Sequence, residues 1–102
     1  MNFAFISRHE PTPEQMALAE EQDIVLHHVG DTDAFTVTPG FVFDAGNRLE
    51  VMFHGVVVVH PAAALRLAPD FLIGVFENAN RAAVGQPPQF VARSLYVFDL
   101  TD

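Results

Sequence analysis

The 102-residue chain contains no cysteine, so neither a disulfide nor a thiolate metal site is open to it, and a reducing compartment is the natural expectation. It also has no lysine: its five cationic side chains are Arg8, Arg48, Arg66, Arg81 and Arg93, against 13 acidic residues and a net charge of −8. Binding to long nucleic acid rests on many cationic contacts to phosphate, and five dispersed arginines make no basic stripe along a duplex. Two or three converging arginines can still hold a small phosphorylated ligand through bidentate hydrogen bonds. No apolar run approaches the ~20 residues that span a bilayer, and the N-terminus lacks a basic region followed by a signal-type core. The expectation is one cytoplasmic domain with no membrane partner. Half of the residues are hydrophobic and only 18% are charged, which excludes disorder.

What is present is organised around Ser7-Arg8-His9. The apolar run Phe3-Ala4-Phe5-Ile6 reads as a buried strand, and it delivers a hydroxyl, a guanidinium and an imidazole to the mouth of a helix. That helix is well signalled. Thr12 is a cap, Pro13 occupies the first helical position where its missing N–H is harmless, and Gln15 completes a Thr-x-x-Gln capping box. Met16, Ala17, Leu18 and Ala19 continue it, Glu14 sits near the positive end of its dipole, and a strand over 24–29 completes a βαβ unit if it runs parallel to the first.

Further along, 30–33 is a turn, 35–38 a short strand or extended crossover, and Pro39-Gly40 a break. Residues 41–53 read either as a hairpin across Asp44-Ala45-Gly46-Asn47 or as a short helix, and the hairpin is preferred because Ala-Gly-Asn between alternating residues is turn chemistry. Val56-Val57-Val58-Val59 is a central strand buried on both faces. His60-Pro61 ends it, and a short helix over 62–68 follows, stopped before Pro69. The opening pattern of strand, histidine, proline and helix is thereby repeated, and in a parallel sheet His9 and His60 emerge at the same carboxyl edge. Another strand spans 71–76, a polar loop begins at 77–81 and extends as a candidate lid, and a last strand spans 94–98. The fold class is therefore α/β with a mainly parallel central sheet, the direction of the last strand being left open.

Candidate chemistry follows from these placements. Arg8 and the first amides of the helix, with Ser7 and Thr12, are phosphate contacts, and His9 is an acid, a base or a ligand contact. His60 is a second catalytic group or a hydrogen-bonding residue at the strand end. Asn78, Asn80 and Arg81 are candidate contacts to an adenine edge and a phosphate. His27 and His28, adjacent on a strand, face opposite sides and read as structural. His9, His54 and His60 with Asp31 or Asp33 form a conceivable metal set, but no His-x-x-x-His or His-Glu-x-x-His spacing occurs, and no metal or other cofactor is expected. Phe35, Phe41, Phe43 and Phe53 read as core or dimer contacts.

Phe5-Ile6-Ser7-Arg8-His9, the proline-containing start of the next helix, and the buried strand feeding a helix after Pro61 resemble the small stand-alone CRISPR-associated ring nucleases of type III systems. The resemblance covers about the first third of the chain and is looser over 56–76. It implies a Rossmann-like fold, a homodimer, and metal-independent cleavage of a cyclic oligoadenylate, with cyclic tetra-adenylate the expected ring, so that signalling in antiviral defence is switched off. Ser7, Arg8 and His9 take the family's phosphate-binding and catalytic position, and the products are linear with 2′,3′-cyclic phosphate ends. His60 is added by geometry rather than by the family. The Arg-His pair also resembles that of histidine phosphatases, but Glu10 stands where their glycine does and the chain is too short for their fold. The alternative is non-enzymatic: a nucleotide sponge or sensor, or a partner-binding regulatory protein of a mobile element.

Overall fold

Alternation along the first strand sends Phe3 and Phe5 to one side of a sheet and Ala4 and Ile6 to the other, and all four are buried. A strand apolar on both faces needs cover on both, and the rest of the chain supplies it. The computed structural model describes residues 1–29, 36–80, 84–85 and 90–100. Its elements are β1 (Asn2–Phe5), α1 (Pro13–Glu20), β2 (Val25–His28), α2 (Pro39–Leu49), β3 (Gly55–Val57), α3 (Pro61–Leu67), β4 (Leu72–Asn80) and β5 (Phe90–Phe98). The sheet order is β2-β1-β3-β4-β5, parallel throughout except for the antiparallel β4–β5 pair. This is the expected α/β class, a small Rossmann-like domain with an antiparallel last strand.

The helices divide between the faces. Ala19 and Leu18 of α1 pack with Phe3, Phe5, Val57 and Leu95 on one side. Val42 and Ala45 of α2, with Ala63 and Leu67 of α3, pack with Ala4, Ile6, Val56 and Ile73 on the other. Each helix starts in the same way, with a polar cap followed by proline at the first turn: Thr12-Pro13, Thr38-Pro39 and His60-Pro61.

That shared start decides 41–53 against the preferred hairpin and in favour of the helix. Thr38 Oγ1 accepts the Phe41 N–H at 3.2 Å and begins an α-helix, and no strand forms over 36–38. Val42, Ala45 and Gly46 then recur at helical spacing towards the core. Gly46 serves close approach rather than a turn: the Val51 N–H donates to its carbonyl at 2.8 Å, and a Cβ on Gly46 would meet Val51 O at 2.7 Å. Glu50, left-handed at φ 57°, closes the helix.

The polar loop expected from 77 is also corrected, because β4 continues to Asn80 and β5 begins at Phe90. Beyond the end of β3 the two strands form a two-stranded ribbon with a register shift at Glu77/Asn78. Having left the sheet's packed centre, it carries polar residues while its backbone ladder persists, so hydrophobicity stopped being a guide before the strand did. The Tyr96 hydroxyl donates to Glu77 Oε2 at 2.7 Å across it, and Arg93 lies 3.7 Å from Oε1 of the same carboxylate.

Phe3 faces Gly55 across the β1–β3 pair, and a Cβ on Gly55 would lie 2.5 Å from the Phe3 ring and 2.9 Å from Leu72 O. Gly55→Ala is therefore expected to destabilise the fold by about 1–3 kcal/mol, the range for forced overpacking. An unchanged urea midpoint would show that the ring does not occupy that space.

Candidate functional site

The order β2-β1-β3-β4 places a topological switch point between β1 and β3, since α1 leaves β1 towards one face and α3 leaves β3 on the other. A crevice opens at the carboxyl ends of such a strand pair. Ser7-Arg8-His9 leaves β1 there, and His60 leaves β3 at the same edge, as the repeated pattern implied.

The loop after β1 is held by three bonds of different kinds. The Ile6 N–H donates to Val57 O at 2.9 Å, which extends the β1–β3 ladder by one residue. The Ser7 Oγ accepts the His9 N–H at 3.2 Å, bending the chain into a local turn. His28 Nε2 lies 2.8 Å from Ser7 O, and because a carbonyl only accepts, Nε2 carries the proton. His28 thus ties the loop to β2, and His27 on the opposite face bonds Asn2 Oδ1 at 2.9 Å and stacks edge-on against Phe53. Both rings are engaged in contacts within the fold, and that of His28 positions the loop.

Arg8 and His9 themselves are exposed, and Arg8 makes no ion pair among the described residues; in particular it does not pair with Glu10. Their side chains are presented to solvent on a tethered backbone. Thr12 caps α1, its Oγ1 accepting the Gln15 N–H at 3.2 Å while Gln15 Oε1 accepts the Thr12 N–H at 2.9 Å. The reciprocal box fixes the helix start, and the Thr12 hydroxyl retains its own proton as a donor.

His60 is an N-cap: its Nδ1 accepts the Ala62 N–H at 3.0 Å. A ring that accepts through Nδ1 carries its proton on Nε2 when neutral. His60 also lines an apolar cavity of about 260 Å³ with Val59, Pro61, Val75, Phe98 and Leu100. A second cavity of about 130 Å³ opens on the α1 side of the same edge, floored by Phe5, Val58, Val59 and Phe76 and flanked by Gln15 and Asn78.

Ser7, Arg8, His9, Thr12, His60 and Asn78 are therefore gathered at one edge. Asn80 stands two residues further along the β4 ribbon, and Arg81 lies outside the described residues. His54 is separated from His9 and His60, since its N–H pairs with Asn2 O at the amino end of the sheet, so these three do not form one metal set. Asp31 and Asp33 lie outside the described residues, and among those described no three His, Asp or Glu side chains are grouped to hold a metal ion. Among the described residues no helix is long and apolar enough to cross a membrane. Phe53 is buried, Phe41 partly so, and half-exposed Phe43 lies against Phe71 with ring centroids 5.0 Å apart, while Phe35 is outside the described residues. Sequence reasoning missed Gln15 and Phe76 as site residues, although the capping box already named Gln15.

No family model, curated protein or solved structure matches this chain.

Asparagine is among the best N-cap residues and alanine among the poorest. His60→Ala is expected to cost about 1 kcal/mol in urea unfolding and His60→Asn close to nothing. Equal losses in the two variants would mean that the cap is not what His60 contributes to stability.

Proposed function

We propose that the carboxyl edge at β1 and β3 binds a cyclic oligoadenylate and cleaves it without a metal. The observation that carries the reading is the exposed Arg8-His9 pair on a hydrogen-bonded loop at the switch point, directly before the capped start of α1. Anionic ligands bind at such edges because the helix N-terminus offers backbone donors and positive potential.

In the proposed reaction a ribose 2′-oxygen attacks the adjacent phosphorus. The new O2′–P bond forms as the P–O5′ bond breaks, leaving a 2′,3′-cyclic phosphate and a 5′-hydroxyl. The 2′-hydroxyl proton passes to a base and the departing 5′-oxygen receives one, so the nucleophile belongs to the substrate and the protein aligns and stabilises it. Arg8 neutralises the charge developing on the phosphoryl oxygens, and His9 moves the proton, the role imidazole fills most often. His60 has its Nδ1 engaged as the cap of α3 and stands at the edge of the site. A homodimer would present Arg8 twice about a two-fold axis, which suits a symmetric ring and offsets the shortage of cationic residues.

The test is incubation with cyclic tri-, tetra- and hexa-adenylate in EDTA, with products resolved by chromatography and mass spectrometry. Linear products with 2′,3′-cyclic phosphate ends are expected, with His9→Ala slower by roughly 10²–10⁴-fold and Arg8→Ala impaired in binding as well. An intact ring that binds would replace the nuclease by a sponge, and absence of binding would leave a partner-binding protein.

A further inference from the structure

The smaller cavity at the carboxyl edge has two carboxamides over an apolar floor, and one of them is not free to turn. Gln15 Oε1 is committed to the Thr12 N–H at 2.9 Å within the capping box, so the Gln15 side chain has only its NH₂ left to offer a ligand. Asn78, exposed on β4, makes no side-chain hydrogen bond among the described residues and can present a donor and an acceptor together. We infer that this cavity is a base subsite selecting adenine over guanine, and that Gln15 is the residue that sets the selection. The inference rests on the proposal that the edge binds a phosphorylated nucleotide.

The selection follows from which atoms each purine displays. Adenine places an amino donor beside the N7 acceptor, a pair that one carboxamide matches bidentately, and its remaining ring nitrogens are acceptors. Asn78 supplies the first match and the Gln15 NH₂ donates to N1. Guanine displays two acceptors, O6 and N7, where Asn78 would present its carbonyl, and a donor at N1 that a donor-only Gln15 cannot accept. The mismatched base leaves polar groups unpaired in the cavity, and such unpaired groups carry most of the discrimination.

The walls suit a planar ring. Phe5 is buried and meets Phe76 edge-on with centroids 6.5 Å apart, and Val58 and Val59 complete an apolar surface against which a base can lie. At about 130 Å³ the cavity is well below the ~300–1,000 Å³ typical of whole-ligand pockets, and it accommodates one base rather than a complete nucleotide. The sugar and phosphate would then lie outside it along the edge that carries Ser7, Arg8 and His9.

Gln15→Glu separates selection from folding, because glutamate serves the capping box equally well while turning the outward donor into an acceptor. The probes are 5′-AMP, 5′-GMP and ribose 5-phosphate, measured by titration calorimetry on the full chain. The native protein is expected to bind AMP roughly tenfold more tightly than GMP. Gln15→Glu is expected to lose most of that ratio with an unchanged unfolding midpoint. The ratio is the readout, because the added carboxylate weakens all three phosphorylated probes alike. Asn78→Ala is expected to lower the ratio independently. Equal binding of all three probes by the native protein, abolished in Arg8→Ala, would overturn base selection and leave the phosphate site standing. Failure of all three to bind would count against both.

Discussion

The parallel pairing of β1 with β3 is the constraint on which the other features depend. Three registered pairs, Phe3 with Gly55, Ala4 with Val56 and Phe5 with Val57, join the two strands that are buried on both faces. Gly55 has no side chain because the Phe3 ring and the Leu72 carbonyl occupy that space. Since α1 departs from β1 over one face while α3 departs from β3 over the other, the two helices diverge from the carboxyl ends of this pair. The core therefore creates the crevice, and the chemistry gathers where the core ends.

Ser7, Thr12 and His60 at that edge are fixed by hydrogen bonds rather than by burial. Capping side chains begin α1, α2 and α3, so the passage into each helix is set by Thr12, Thr38 and His60 together with the proline after each. His28 and Ser7 hold the intervening loop, whereas Arg8 and His9 are left exposed on it. That division is economical chemically: the backbone is preorganised, and the two ionisable groups remain accessible to a ligand.

The opening βαβ unit and the shared edge of His9 and His60 were legible because their signals are local and periodic: alternating apolar residues, a capping box, and a β-branched run before His60-Pro61. The hairpin expected over 41–53 failed because Gly46 was read as turn chemistry, when its purpose is the approach of Val51, a contact visible only once the helix has formed. Thr38-Pro39 repeated the signature of Thr12-Pro13 and was the available clue. The ribbon past β3 was misread because Glu77 and Asn78 are polar, although their backbones remain paired with Ser94 and Ala92. At the site, Ser7, Arg8, His9 and Asn78 were identifiable by type and place. The place of Gln15 in a cavity lining was not, since it depends on β4 bringing Asn78 to the same cavity.

The central claim is that ligand binding belongs to the carboxyl edge at β1 and β3. Amide chemical-shift mapping of the full chain with cyclic tetra-adenylate tests it most directly. The account predicts the largest shifts at Ser7, Arg8, His9, Gln15, Val59 and Asn78, with little change at the amino end of the sheet around Met52, His54 and Phe71. Shifts centred on that opposite end, or none at saturating ligand, would contradict it.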